Sequence, residues 1–86
     1  MKNYIVVFSD HIGTSLYVSN ILRAIPEISS WRYDMQHSIH VKSELNSNEL
    51  YKKIKSKIPQ GRFFISEITD NRQGYITKKT WEFLKG

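Results

Sequence analysis

The sequence predicts an α+β fold in which one sheet packs against helices. Three observations support this prediction. Residues 2–9 are β-branched and aromatic, as in a strand. Two later stretches repeat apolar residues at helical spacing, and two runs between them alternate apolar and polar residues. The predicted order is strand, helix, strand, strand, helix, strand, followed by a short terminal helix.

The first strand has apolar side chains on both faces. Tyr4, Val6 and Phe8 share one face, and Ile5 and Val7 share the other. Strands of this kind are central in a sheet and covered on both sides. The strand therefore needs a second cover besides the helices.

Both long helices carry start and stop signals. Thr14 or Ser15 can cap the first helix, which Pro26 ends, and its inward positions are Val18, Ile21, Leu22 and Ile25. Asn46 with Glu49 three residues later is typical of a capping box, and the inward positions of this second helix are Leu50, Ile54 and Ile58.

The end of the chain is predicted to form a strand and a short helix. Pro59 and Gly61 end the second helix, and residues 62–68 form the fourth strand, with Phe64 and Ile68 in the core. After a turn over 70–74, Ile76 and Trp81 form a hydrophobic staple for a last helix that reaches Leu84.

The middle strands, predicted at 31–35 and 38–43, form a hairpin whose loop length decides which side chains share a face. A two-residue loop gives a base-stacking platform with the pairs Met35–Ser38, Tyr33–His40 and Trp31–Lys42. A three-residue loop or a bulge gives the pairs Met35–Ile39, Tyr33–Val41 and Asp34–His40. We favour the second register because it buries apolar groups together and because Gln36-His37 does not suit a tight turn.

With right-handed crossovers this order folds most simply into a ferredoxin-like βαββαβ two-layer sandwich. The prediction is a single domain over 1–86, with four antiparallel strands, the first and third central, and two helices on one face. A second copy of the chain would cover the open face. The residues assigned to this dimer interface are Tyr4, Val6, Phe8 and His40.

The charge of the chain favours a polyanionic partner. The net charge is +5, and five basic residues and no acid lie between Leu50 and Ser66. The residues assigned to nucleic-acid binding, RNA or DNA, are Lys52, Lys53, Lys55, Lys57 and Arg62. The alternative interpretation of the same residues is an ordinary solvated lysine face.

Few residues suggest catalysis or a cofactor. The chain has no cysteine, which excludes disulfides and thiolate sites. Asp10, just after the first strand, is the one candidate catalytic or metal-binding residue, and Mg²⁺ is the cofactor only if the protein is a nuclease. The apolar run at the start is too short to cross a bilayer, so we expect a cytoplasmic protein without membrane contact.

The chain resembles short bacterial and phage proteins called SinR-like. The resemblance lies in residues 4–10, Trp31, 36–41, 70–75 and 81–84. These proteins are distantly similar to the small ferredoxin-like CRISPR adaptation subunit and to toxin–antitoxin endoribonucleases. That wider family implies a homodimer and a metal-binding Asp after a Tyr at the end of the first strand. Here Phe8-Ser9-Asp10 stands at that place. Asp10 would then be the metal-binding residue, one position further along the chain than in the family pattern.

Three functional hypotheses follow from the sequence. The first is a non-enzymatic homodimer that binds nucleic acid or a protein of a defence, plasmid or phage system. The second is a metal-dependent endoribonuclease that uses paired Asp10 carboxylates. The third is an inhibitor or antitoxin that acts only by protein–protein contact.

Overall fold

The chain alternates strands and helices in the predicted order. A computed structural model describes residues 1–86. Its elements are β1 (Lys2–Phe8), α1 (Ser15–Leu22), β2 (Ile28–Arg32), β3 (Ser38–Ser43), α2 (Ser47–Lys57), β4 (Phe63–Ile68) and α3 (Lys78–Lys85).

The four strands form one antiparallel sheet in the order β2-β3-β1-β4. The first and third strands are central, and β2 and β4 are the edges. This is the strand order of a ferredoxin-like sandwich, as the sequence predicts.

The main core lies between the sheet and the helices α1 and α2. Tyr4 pairs with Val41 and Val6 pairs with Ile39, so four apolar side chains point to the same side. The helices complete this core with Val18, Leu22, Leu50 and Ile54, and the segments that follow them add Ile25 and Ile58. The Tyr4 hydroxyl donates to the Leu45 carbonyl at 2.6 Å, which satisfies the only polar atom of its side chain.

The burial of this core corrects the assignment of three residues to a dimer interface. Tyr4, Val6 and Phe8 are 1%, 1% and 4% exposed, because they face α1 and α2 within the same chain. A side chain already enclosed in its own core cannot contact a second copy. The opposite face of β1 carries Ile5 and Val7, and Val7 is 46% exposed.

The hairpin differs from both predicted registers. Trp31 pairs with Val41 and Arg32 pairs with His40, and a bulge follows Ile28. The favoured register was therefore wrong by two residues. It placed Tyr33, Ile39 and Val41 correctly on the helix side, but Met35, which it placed there too, is 56% exposed and lies outside the core. Residues 33–37 are a loop because they have other partners: the backbone amide of Ser15 donates to the Gln36 carbonyl.

The outer strand β4 also differs from expectation. Phe64 is 68% exposed and lies outside the core, whereas its neighbours Phe63 and Ile65 pack against it. Phe63 and Ile65 pair with Phe8 and Val6, which places them on the helix side. The prediction failed because Phe63, Phe64 and Ile65 are all apolar, so the sequence pattern does not define the inward face.

The last helix lies on the face of the sheet opposite α1 and α2, which we call the reverse face. Asn3 Nδ2 donates to the Leu84 carbonyl at 3.1 Å, and Arg32 Nε donates to Thr80 Oγ1 at 2.9 Å. Thr80 and Leu84 are 0% and 5% exposed. The prediction of helices on one face only is therefore incomplete, because α3 provides part of the cover that we had assigned to a second copy.

None of the three helices is long and apolar enough to cross a bilayer.

The capping box of α2 predicts a measurable loss of stability. Asn46 Oδ1 accepts from the Glu49 amide at 2.9 Å, and Glu49 Oε1 accepts from the Asn46 amide at 3.0 Å. We expect Asn46→Ala to lower the free energy of unfolding by about 1 kcal/mol. Urea unfolding measures this change. The matched control is Asn48→Ala, an exposed position that makes no side-chain hydrogen bond. An equal loss in both variants would contradict the role of the cap.

Candidate nucleic-acid interface

The predicted basic residues lie on the outer side of α2 and in the loop that follows it. We call Lys52, Lys53, Lys55, Lys57 and Arg62 the cationic surface. The helix is oriented by Leu50 and Ile54, which are both 0% exposed. Because these two residues define the inward side, the lysines between and after them point away from the core.

Only one member of the cationic surface is paired with an acid. Lys53 Nζ lies 3.1 Å from Glu27 Oε2. The backbone amide of Glu27 and the hydrogen bond from Lys53 lower the pKa of the Glu27 carboxyl. Lys55 Nζ donates to the Pro59 carbonyl at 2.7 Å, which leaves its charge uncompensated. Four cations of the surface are therefore free of a bound carboxylate.

An aromatic pair borders the cationic surface and was missed by the sequence analysis. Tyr51 of α2 packs against Phe63 of β4 with ring centroids 5.5 Å apart, and Tyr51 is 44% exposed. The signal available in the sequence was a tyrosine directly before two lysines on a helix. Only the packing of α2 over β4 shows that the tyrosine and Phe63 form a pair.

Arg62 lies beside Asp10 at one end of the sheet. Ser9, Asp10, His11, Gly61 and Arg62 line an open cleft of about 480 Å³. The Ser9 amide donates to the Arg62 carbonyl at 2.9 Å, which joins the two loops. Gly61 has a φ of 94° and would place a Cβ against the side chain of Ile12, so only glycine suits this turn.

Asp10 is the only carboxylate that lines this cleft. Asp10 is exposed, and the chain has no group of three or more His, Asp or Glu side chains placed to hold a metal ion. Mg²⁺ in proteins is bound by one or two carboxylates together with waters and substrate phosphates. The cleft supplies one carboxylate, and the cation Arg62 lines the same cleft.

A second cleft, on the reverse face, was not predicted. It has a volume of about 360 Å³ and lies between the sheet and the segment that leads into α3. Ile5, His40 and Ile68 form its floor, and Ile76 and Trp81 form part of its wall. The staple predicted from Ile76 and Trp81 therefore lines this cleft.

His40 lies on this reverse face, as predicted, but it is only 8% exposed because the segment leading into α3 covers it, so its assignment to a dimer interface is wrong for the same reason as that of Tyr4, Val6 and Phe8. Its Nδ1 has no hydrogen-bond partner. Burial lowers the pKa of His40, and the charge of Asp34 opposes this effect. Partial burial raises the pKa of Asp34, but hydrogen bonds from the Thr77 amide and hydroxyl and from Thr80 outweigh it and lower that pKa.

The chain is thus a small ferredoxin-like α+β domain with a cationic helix face and an additional helix on the reverse side of its sheet. No family model, curated protein or solved structure matches it. Its function has to be inferred from its own surfaces.

The burial of His40 predicts a dependence of stability on pH. Because the pKa of His40 is lowered in the folded chain, the unfolded chain binds more protons between that pKa and the unperturbed value of about 6.5. The free energy of unfolding should therefore fall as the pH falls below about 6.5, and level off below the folded pKa.

Urea unfolding at a series of pH values measures this effect. His40→Gln should flatten the profile in this range, whereas the exposed control His11→Gln should retain the wild-type fall. A profile in His40→Gln as steep as that of the wild type would show that His40 is not the cause.

Proposed function

We propose that this protein is a homodimer that binds the phosphate backbone of nucleic acid through the cationic surface. The observation that carries the proposal is the set of four cations on α2 and the following loop without a bound carboxylate. A group of unpaired cations on one surface raises the local concentration of polyanions.

The chemistry of these residues favours contacts to phosphates over base-specific contacts. Lysine is a compact point charge on a flexible stem, and such a group binds phosphate oxygens without reading the sequence of bases. Arg62 adds a planar donor at the end of the same surface. The proposed partner is therefore RNA or DNA of any sequence.

The position of the lysines supports the same function. Lys52 and Lys57 are exposed and bind no group of the protein, so they can contact phosphates without breaking an existing interaction. Lys53 would first have to leave Glu27. We therefore expect Lys52 and Lys57 to contribute more to binding than Lys53.

Salt dependence tests the proposal. The logarithm of the binding constant should fall linearly with the logarithm of salt concentration, and each lost phosphate contact should reduce the slope by about 0.7 for single strands or about 0.9 for duplex DNA. The double variant Lys52→Gln, Lys57→Gln should thus weaken binding and reduce the magnitude of the slope by the amount expected for two lost phosphate contacts. Fluorescence anisotropy with labelled oligonucleotides measures both quantities.

The matched control is Lys78→Gln with Lys79→Gln. These two lysines are exposed and start α3 on the other side of the sheet, and their replacement removes the same net charge. Equal losses in the two double variants would indicate a response to net charge alone. A wild-type protein without affinity for RNA or DNA at low salt would refute the proposed function.

A further inference from the structure

The two edges of the sheet differ in how well they are protected from pairing with another strand. β2 has five residues, contains a bulge and ends in Arg32. β4 has six residues, lies beside β1 without a bulge and contains neither lysine nor proline. Charged side chains, proline, bulges and very short strands are among the features that block edge pairing. β4 has one such feature, Glu67, whose side chain points to the helix side, whereas β2 has both a bulge and a charged end. β4 is therefore the less protected edge, which we call the open edge.

The backbone groups at this edge can be assigned from the ladder between β1 and β4. The Ser9 amide donates to the carbonyl of Arg62, its direct partner, so this is a hydrogen-bonded pair. Hydrogen-bonded pairs alternate along an antiparallel ladder. The backbone groups of Phe64 and Ser66 therefore point towards β1, and those of Phe63, Ile65 and Glu67 point out to the open edge.

We propose that two copies of the chain pair through their β4 edges, antiparallel and with the two Ser66 residues opposite each other. The two sheets then form one continuous sheet of eight strands. The hydrogen-bonded pairs across the seam are Ile65 with the second copy's Glu67, and Phe63 with the second copy's Thr69. Phe63, Ile65 and Glu67 present their backbone groups to the open edge, as such a ladder requires. Thr69 lies just beyond β4 and its carbonyl accepts from Arg72 Nη1 at 3.2 Å, so its pair with Phe63 forms only when Arg72 releases that carbonyl.

Charge and apolar contacts select this register. Arg62 lies opposite Asp70 of the second copy, which is fully exposed and whose carboxylate lies 3.8 Å from Arg72 Nη1 of its own chain. Phe64, which is 68% exposed, lies opposite Ile68 on the reverse face. The two-fold symmetry repeats both pairs, so the seam contains two pairs of opposite charges and two apolar contacts.

The neighbouring registers are less favourable. If Ile65 lay opposite Ile65 of the second copy, Arg62 would lie opposite Ile68 and Phe63 opposite Glu67. If Glu67 lay opposite Glu67 of the second copy, two carboxylates would face each other, which is destabilising. A slip by a single residue is excluded because it would oppose outward backbone groups to inward ones.

This dimer would enlarge the surface proposed to bind nucleic acid. α2 packs over β4 through Tyr51 and Phe63, and a two-fold axis normal to the sheet places both copies of α2 on one face. Two cationic surfaces then border the seam. This consequence rests on the proposed function, whereas the pairing of β4 does not. The two Arg62 residues lie roughly 25 Å apart along the strands, so the neighbouring Asp10 carboxylates do not meet.

Disulfide cross-linking of single-cysteine variants tests the register directly, because the chain has no cysteine of its own. Ser66→Cys places two thiols in a non-hydrogen-bonded pair with Cα atoms about 4.5 Å apart, which a disulfide can bridge. Mild oxidation should therefore give a covalent dimer on non-reducing gels.

The matched control is Phe64→Cys, on the same strand and the same face of the sheet. In the proposed register its two copies lie about 13 Å apart, so it should stay monomeric on the gel. A covalent dimer from Phe64→Cys and none from Ser66→Cys would overturn the register. A covalent dimer from neither would overturn the pairing.

A charge exchange tests the contact between Arg62 and Asp70. Arg62→Asp and Asp70→Arg each place like charges opposite one another, and each should raise the dissociation constant of the dimer roughly tenfold. The double variant restores opposite charges and should return the constant close to the wild-type value. Sedimentation equilibrium without nucleic acid measures all four proteins. A double variant that dissociates as readily as the two single variants would contradict the contact.

Ile65→Pro separates this inference from the proposed function. The Ile65 amide points outward at the open edge, so Ile65→Pro removes a hydrogen bond only from the dimer. The Ser66 amide points towards β1, so Ser66→Pro removes a hydrogen bond from the fold itself. Ile65→Pro should be a folded monomer that binds nucleic acid more weakly. A dimeric Ile65→Pro would refute the β4 seam and leave the proposed function standing, whereas a wild-type dimer without affinity for nucleic acid would refute only the function.

Discussion

The rest of the structure depends on the need to bury both faces of β1. Tyr4, Val6 and Phe8 point to α1 and α2 and are almost completely enclosed. Ile5 lies on the other face, where the segment that leads into α3 forms a cleft over it. A central strand with apolar groups on both sides is stable only between two layers. The chain supplies the first layer fully and the second layer in part.

Because the second layer is incomplete, apolar side chains stay exposed both on the reverse face and along the open edge. α3 covers the end of the sheet near Asn3 and Arg32, where it forms hydrogen bonds with both side chains. Val7 and Phe64 lie outside this cover and remain 46% and 68% exposed. Pairing through β4 would bring Ile68 of a second copy over Phe64. It would satisfy the outward backbone groups of the same strand at the same time.

The lysines of α2 and the buried His40 lie on opposite sides of the sheet. The lysines of α2 lie on the side of the molecule covered by helices α1 and α2, whereas His40 and its neighbour Asp34 belong to the reverse side. The helix side therefore presents a positive surface to a partner. The reverse side contains a histidine whose protonation is linked to the stability of the fold.

The sequence alone determined the features that arise from local interactions. Asn46 and Glu49, three positions apart, predicted the start of α2, and Ile76 and Trp81, five positions apart, predicted the start of α3, so short-range spacing was enough to locate where these helices begin. The strand order followed from the order of the elements and the handedness of crossovers. Tertiary structure decided the hairpin register, because the carbonyl of Gln36 accepts from Ser15 and the carboxylate of Asp34 accepts from Thr77. It also decided the inward face of β4 and the side on which α3 packs, since both depend on contacts between residues far apart in the chain.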